Sequence, residues 1–227
     1  MTNLVIAAHP DDEVLGCGGT IARLAREGHA VHIAILGEGI TSRFARRGQA
    51  DKKLLKQLHD RSHRVANFLG AKDLFMGDLP DNRFDTVPLL DVVKMIERLV
   101  EKIRPEAIYT QHGGDLNIDH AVTFRATLTA TRPVHGCPVK ALYSYEVASS
   151  TEWGFQRFEP AFSPSLFINI ESTLEGKIRA MQMYESEARV FPHPRSAESL
   201  SAMAAKWGAT VGLKAAEAFE VIRDIRS

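Results

Sequence analysis

"NLVIAAHPDDEVLGCGGTIARLAREG", residues 3–28, joins a strand pattern directly to a helix pattern. Residues Leu4 to Ala8 are all apolar, which is typical of a parallel strand covered on both faces. Apolar residues then recur at near-helical spacing from Val14 to Ala25, and Gly28 provides a helix stop. A second apolar run at 30–36 completes a predicted β-α-β unit.

The same alternation of strand and helix continues to residue 131. Further helices are predicted at 54–70, 89–103 and 119–131, and further strands at 73–77 and 107–111. This order predicts an α/β fold with a mainly parallel sheet and helices on both faces. Beyond 139 the order changes to strands at 139–147, 165–170 and 216–223 and helices at 173–188 and 197–213. No linker or repeat separates this part, so we predict one domain, 1–227, with a C-terminal elaboration.

The composition excludes several classes of protein. Lys plus Arg and Asp plus Glu both number 28 among 227 residues, so no overall positive field attracts nucleic acid. No apolar run reaches the ~18 residues of a membrane span. The apolar run before His9 is too short for a secretory signal, which makes a cytoplasmic location the expectation. The two cysteines, Cys17 and Cys137, form no Cys-x-x-Cys pair, and we expect buried thiols.

Polar segments follow each of the first four predicted strands. They read HPDDE, GEGITSR, DLPDNRF and QHGGDLNIDH, and each carries more functional groups than a simple turn requires. Ligands of open parallel sheets bind outside the carboxyl ends of the strands. The sequence therefore predicts a site where these four segments meet.

The first segment predicts a metal site. His9 and Asp12 can point at one centre, and an imidazole and a carboxylate are both zinc ligands. A catalytic zinc usually takes three protein ligands, and His120 is the best third candidate because strands one and four are neighbours in the usual doubly wound order. Asp11 would then be free to act as general base towards water. Glu13 would hold a ligand's second nitrogen or cap the helix.

Three simpler interpretations compete with this hypothesis. The acids could merely stabilise a helix N-terminus, with His9 an ordinary loop histidine. The run GCGGT resembles part of a dinucleotide fingerprint, although the adjacent acids would repel a pyrophosphate. His59 and His63 have the spacing of a metalloprotease helix but are expected at the surface.

Together, AHPDDEVLGCGGTIA and DLNIDH resemble the zinc-dependent N-acetylglucosaminyl deacetylase superfamily, the LmbE-like or PIG-L-type proteins. The resemblance implies a Rossmann-like three-layer α/β/α fold and zinc-dependent removal of an N-acetyl group from an amino sugar. It implies zinc ligands at His9, Asp12 and His120 and a general base at Asp11. Asp81, with the adjacent Asn82, matches a position that touches sugar hydroxyls in relatives, and Arg43 lies where relatives often bind an anion or substrate.

One departure leaves the general acid open. Many relatives have a histidine where this chain has Asn117, and an amide can donate to an oxyanion but cannot shuttle a proton. Asp11 could perform both proton transfers, or His112 or His193 could supply the acid. Arg195 could clamp an anionic group of the substrate or serve as a structural ion-pair partner.

The sequence allows alternatives for the residues at the mouth of the site, for the metal and for the substrate. Trp153 could stack on a sugar and Glu152 could bond hydroxyls, or both could belong to a surface loop. Fe²⁺ or Co²⁺ could replace Zn²⁺ on the same ligands. The resemblance implies an N-acetyl amino-sugar substrate that is free or nucleotide-, lipid- or thiol-linked, and allows a homo-oligomer. The rival function is a non-catalytic amino-sugar-binding module that retains the fold.

Overall fold

Seven strands form one sheet in the computed structural model, which describes residues 1–226. The strands are β1 (Thr2–Ala7), β2 (Ala30–Gly37), β3 (Asp73–Leu79), β4 (Ala107–Gln111), β5 (Ala141–Tyr145), β6 (Leu166–Asn169) and β7 (Ala216–Asp224). Their order is β3-β2-β1-β4-β5-β7-β6, and β7 alone runs in the direction opposite to the other six strands. The predicted mainly parallel sheet is confirmed.

Six α-helices cover the two faces of the sheet. They are α1 (Asp12–Arg26), α2 (Lys52–Leu69), α3 (Leu89–Ile103), α4 (Ile118–Ala130), α5 (Leu174–Met183) and α6 (Ala197–Thr210). Val5 and Ala7 of β1 pack in the core with α1, α2, α5 and α6, whereas Leu4 and Ile6 pack with α3 and α4. This alternation along one strand produces the predicted three-layer fold.

The two C-terminal helices are shorter than predicted. The helix predicted at 173–188 ends at Met183, and the next residues form turns in which Glu187 and Ala188 donate to the Tyr184 carbonyl. The helix predicted at 197–213 ends at Thr210, just before Gly212 adopts a left-handed conformation. No described helix is long and apolar enough to cross a membrane.

The glycines of α1 allow this helix to pack closely against neighbouring side chains. A Cβ on Gly16 would lie 2.1 Å from Cδ2 of Tyr145, and one on Gly19 would lie 2.8 Å from Cβ of Ile170. Tyr145 is itself fixed, because it is buried and its hydroxyl donates to the carbonyl of Ile6 at 2.8 Å. Helix packing therefore explains the GCGGT run without a dinucleotide.

A buried ion pair also holds α1 in place. Glu217 of β7 accepts hydrogen bonds from the backbone N–H groups of Gly19 and Thr20. Lys177 of α5 bonds both Glu217, at 2.7 Å, and the carbonyl of Leu15, at 2.8 Å. The helix that begins with the acidic segment is thus tied to the C-terminal part of the chain.

We expect Gly16→Ala to destabilise the protein by about 1–3 kcal/mol, because the added methyl group overpacks against an immobile ring. The matched control is Gly176→Ala in α5, where a Cβ would meet nothing within 4 Å. That change should be neutral or stabilise by up to ~1 kcal/mol through helix propensity. Urea unfolding of both variants measures the difference, and equal stabilities would contradict this packing.

Candidate metal centre and substrate cavity

The loops after β1, β2, β3 and β4 meet in one cavity of about 160 Å³. Strand β1 pairs with β2 on one side and β4 on the other, so the carboxyl ends of these strands lie side by side, as predicted. The walls carry His9, Asp11, Asp12, Arg43, Asp81, Asn82, Asn117, His120, Glu187 and Arg195, among others. Thirteen polar side chains, these ten and three serines, line this small space and make it the candidate site.

Two histidines and one carboxylate converge at the floor of the cavity. Single ligand atoms of His9, Asp12 and His120 all lie within 4.8 Å of one another. Oδ2 of Asp12 is 3.3 Å from Nδ1 of His9 and 3.3 Å from Nε2 of His120. Both ring nitrogens of His120 are buried and neither makes a hydrogen bond of good geometry, although Nε2 faces Asp12 and Nδ1 faces Asp115. A cation between Asp12 and Nε2 would satisfy that nitrogen, so the group can hold a metal ion.

Two further carboxylates lie behind the two histidines. Oδ2 of Asp119 is 2.8 Å from Nε2 of His9, and its Oδ1 accepts the N–H of Phe84. Oδ1 of Asp115 is 3.2 Å from Nδ1 of His120, and Asp115 also accepts from the hydroxyls of Ser150 and Thr151. Carboxylates in these places fix the tautomer and orientation of metal-binding histidines.

The sequence interpretation did not include Asp115 and Asp119, although both lie in the DLNIDH segment. It gave Glu13 two alternative roles, holding a ligand's second nitrogen or capping the helix, and the first of these is corrected. Glu13 accepts from the N–H of Asp11 at 3.0 Å and from the hydroxyl of Tyr184 at 2.6 Å. Its side chain therefore braces the turn before α1.

The acidic surroundings make the centre attractive to cations. Burial lowers the pKa of His120, but Asp12 and Asp115 outweigh burial and raise it to about 9. Burial likewise opposes ionisation of Asp12, yet the rings of His120 and His9 hold its pKa well below the usual range. When no metal is bound, protons on the histidine rings therefore balance the negative charge of the carboxylates. A divalent cation competes with these protons for the same nitrogens.

Asp11 lies beside the metal-capable group and does not belong to it. Nη1 of Arg195 donates to Oδ2 of Asp11 at 2.7 Å, while Nε of Arg195 donates to Oγ of Ser149. Burial raises the pKa of Asp11 well above its usual value; Arg195 opposes the shift and Asp12 adds to it. Asp11 also has a φ of 111°, a left-handed conformation uncommon for a non-glycine residue. Such strain concentrates at functional sites.

Glu187 connects the two arginines of the cavity and was missed in the sequence. Its Oε2 is 2.6 Å from Nη2 of Arg43 and 3.3 Å from Nη1 of Arg195. Arg195 therefore has ion-pair partners on two sides and still lines the cavity. No local pattern could identify Glu187, because it lies 144 residues from Arg43 along the chain.

Asp81, Asn82 and Asn117 form one hydrogen-bonded wall. Oδ2 of Asp81 accepts from the N–H and Oγ of Ser42, and Nδ2 of Asn82 donates to that Oγ at 3.1 Å. Nδ2 of Asn117 donates to Oδ1 of Asn82 at 3.0 Å, while Oδ1 of Asn117 caps α4 by accepting the N–H of Asp119. This wall presents donors and acceptors suited to hydroxyl groups.

His112 does not reach the cavity, so the expectation that it contacts substrate or supplies the acid is corrected. Its Nδ1 lies 2.8 Å from Oε2 of Glu220, and its Nε2 lies 2.7 Å from the carbonyl of Pro160. Both ring nitrogens are therefore committed to structural partners. Burial lowers the pKa of His112, but Glu220 and, more weakly, the Pro160 carbonyl and Asp115 outweigh it and raise the pKa.

This raised pKa predicts a pH-dependent contribution to stability. Below the pKa of His112 in the unfolded chain, about 6.5, the ion pair with Glu220 contributes its full stabilisation. This stabilisation is lost as the pH rises through the higher pKa of His112 in the folded chain. We expect His112→Gln to remove about 1.5–3 kcal/mol at pH 6 and less at higher pH. Urea unfolding from pH 6 to 9 measures this, with the exposed His135→Gln as control. A destabilisation that stays constant with pH would contradict it.

His193, Glu152 and Trp153 are not among the residues that line the cavity. Nδ1 of His193 accepts the N–H of Arg195, and its ring packs edge-on against Trp153 with centroids 5.5 Å apart. Oε1 of Glu152 accepts the N–H of Ser149. These three residues lie on the loops that carry Ser149 and Arg195, beyond the polar walls.

Comparison with known proteins supports one family. The profile described as "PIG-L: GlcNAc-PI de-N-acetylase" matches residues 4–131. The uncharacterized deacetylase YaiS of Escherichia coli K12 is 26% identical over 189 residues, which cover 81% of this chain and 90% of that protein. The diacetylchitobiose deacetylase of Thermococcus kodakarensis is 26% identical over 204 residues, covering 81% and 69%.

Among solved structures, the 4-carboxy-2-hydroxymuconate hydratase GalB of Pseudomonas putida KT2440 has the same fold. The TM-score is 0.77 with 19% identity, and the match covers all of this chain and 98% of GalB. At this identity the likeness concerns the fold alone. Since this structural neighbour is a hydratase whereas the sequence relatives are deacetylases, the reaction must be argued from the site.

Proposed function

The chain belongs to the PIG-L, GlcNAc-PI de-N-acetylase, family, and on this premise we propose that it is a metal-dependent hydrolase of N-acetylated amino sugars. The reaction would cleave the amide with water and yield acetate and a free amine. The observation that carries the proposal is the buried convergence of His9, Asp12 and His120 beside Asp11, in a cavity whose other lining residues are mostly polar.

The metal proposed for this group is zinc. Two imidazole nitrogens and one carboxylate oxygen form a ligand set typical of catalytic zinc, and Fe²⁺ and Co²⁺ are the alternatives. When bound, such an ion supplies Lewis acidity towards a carbonyl and makes water acidic enough to ionise near neutral pH. Asp119 and Asp115 would hold the rings of His9 and His120 in place for it.

Asp11 is the proposed general base. Its carboxylate adjoins the ligands without being one, and its raised pKa makes it a stronger base than an exposed aspartate. Arg195 and Ser149 fix its direction, since Arg195 bridges the two residues. Asp11 would accept the proton of the attacking water as the carbon–oxygen bond forms.

Asp11 would also return that proton to the leaving nitrogen as the carbon–nitrogen bond breaks. Both histidines that line the cavity are proposed ligands, and the amide of Asn117 does not ionise near neutral pH and so cannot act as an acid. His193 does not line the cavity and is not assigned this role. Because Asp11 would perform both proton transfers, the reaction needs no second acid. This accounts for Asn117 at the position where many relatives have a histidine.

The wall of Asp81, Asn82 and Asn117 is the proposed sugar-binding surface. Asp81 offers carboxylate oxygens, and the two amides offer both donors and acceptors, so each can bond a ring hydroxyl. Arg43 also lines the cavity and would contact the substrate after partial release from Glu187. A non-catalytic sugar-binding module would need this wall but has no use for a buried, strained Asp11.

The direct test is acetate release from the methyl glycoside of N-acetylglucosamine. Zinc-loaded protein should release acetate and free amine in equal amounts, and chelator-treated protein should release neither. Binding of the glycoside without acetate would support the module instead. Turnover of a 4-carboxy-2-hydroxymuconate without any acetate release from N-acetyl sugars would place the chain with the hydratase.

A further inference from the structure

Exposed apolar side chains are concentrated next to the cavity, and we call six of them the apolar rim: Leu116, Trp153, Phe155, Phe158, Val190 and Phe191. They lie on three segments that also line the cavity. Leu116 precedes Asn117. The three aromatic residues Trp153, Phe155 and Phe158 follow Ser150, and Val190 and Phe191 lie between Glu187 and Arg195. The rim is therefore continuous with the proposed site along the chain.

The three segments also contact one another in space. Trp153 packs against His193, and Arg195 bonds Ser149, which joins the second segment to the third. A Cβ on Gly154 would lie 3.7 Å from the backbone nitrogen of Leu116, so the second segment also touches the first. The rim thus forms one surface beside the mouth of the cavity.

Phe155 gives the strongest evidence that this surface binds a ligand. Its side chain is 76% exposed, and its φ of 49° is a left-handed conformation that is unfavourable for an aromatic residue. Gln156 follows with a φ of 52°. The loop therefore adopts a strained backbone conformation in which a phenyl ring is exposed to water. Exposed apolar patches and strained loops of this kind mark binding surfaces.

The size of the cavity determines what the rim would meet. A volume of about 160 Å³ is smaller than the ~300–1,000 Å³ of pockets that enclose a whole drug-sized ligand. With the N-acetylated ring in the polar cavity, any group attached to the sugar must extend over the mouth. Charged side chains on the rim segments balance, with Glu152 and Glu159 against Arg157 and Arg189. Arg195 is paired with Asp11 and Glu187, and Arg43 with Glu187, so a pyrophosphate would have to displace an acid to reach either arginine.

We infer that the apolar rim binds an apolar aglycone, an alkyl or aryl group attached to the N-acetylated sugar. This inference rests on the proposed function and narrows its substrate class from sugar conjugates in general to those with an apolar attachment. Burial of two or three methylenes on the rim is enough to raise kcat/KM by about ten- to fiftyfold over a methyl glycoside.

The test compares acetate release from octyl, methyl and uridine-diphosphate derivatives of N-acetylglucosamine, with the octyl glycoside below its micelle concentration. For the zinc-loaded protein we expect kcat/KM for the octyl glycoside to exceed that for the methyl glycoside at least about tenfold. In the double variant Phe155→Ser/Phe191→Ser this ratio should fall towards one. Val134→Ser, at an equally exposed position outside the rim, should keep the wild-type ratio.

The outcomes separate the inference from the proposed function. Equal kcat/KM for the methyl and octyl glycosides, or a preference for the nucleotide sugar, would overturn the inference and leave deacetylation standing. A wild-type ratio that survives in the double variant would also overturn it, because the selectivity would then arise elsewhere. Absence of acetate from all three compounds would contradict the proposed function itself.

Discussion

Asp11→Asn is expected to retain the bound metal and to lose turnover by about 10²–10⁴-fold, the range of a general base. The substitution keeps the shape of the side chain but removes the group that accepts a proton. The proposed ligands His9, Asp12 and His120 are unchanged, so metal content should stay at the wild-type value. Arg195 loses an ion-pair partner but keeps Glu187 and Ser149.

The measurement is kcat for acetate release together with metal content by mass spectrometry. Asp60→Asn is the matched control, because Asp60 is an exposed aspartate on α2 that does not line the cavity. It should retain wild-type kcat. If Asp11→Asn turned over at a rate within about twofold of the wild type, Asp11 would not be the general base.

His120→Ala is expected to abolish stoichiometric metal binding and, with it, measurable acetate release. Three protein ligands would become two, and Asp12 would lose the cationic or metal-bound neighbour that compensates its burial. Asp115 would lose its partner as well, so the free energy of unfolding should also fall.

Metal content after dialysis against zinc at fixed free concentration measures this prediction. His63→Ala is the control, since His63 is an exposed histidine on α2 and belongs to no metal-capable group found among residues 1–226. Undiminished zinc in His120→Ala, with the control also unchanged, would remove His120 from the ligand set.

The parts of the fold and site that sequence reasoning predicted depend on local patterns. The apolar run at 4–8 and the helical spacing after Asp12 define the first β-α unit, and the alternation of elements predicts the parallel sheet. Neighbouring strands one and four then bring HPDDE and DLNIDH to one edge, which is why His9, Asp12 and His120 could be grouped from the sequence.

The parts that were missed depend on side-chain direction and on contacts distant in sequence. Gln111 and His112 are adjacent at the end of β4, yet Nε2 of Gln111 donates to Asp12 whereas His112 reaches Glu220. Alternation along a strand sends neighbours to opposite faces, and the sequence did not reveal which face the site occupies. Glu187 pairs with Arg43 and Arg195, and Asp119 bonds His9. These partners are distant in sequence and become neighbours only in the folded chain.

The central claim is that this site hydrolyses an N-acetyl group, and oxygen-18 labelling tests it most directly. Zinc-loaded protein is incubated with an N-acetylglucosaminide in ¹⁸O-labelled water, and the products are analysed by mass spectrometry. Hydrolysis predicts acetate with one labelled oxygen and an equal amount of free amino sugar. Substrate that is bound or altered without labelled acetate would contradict the account.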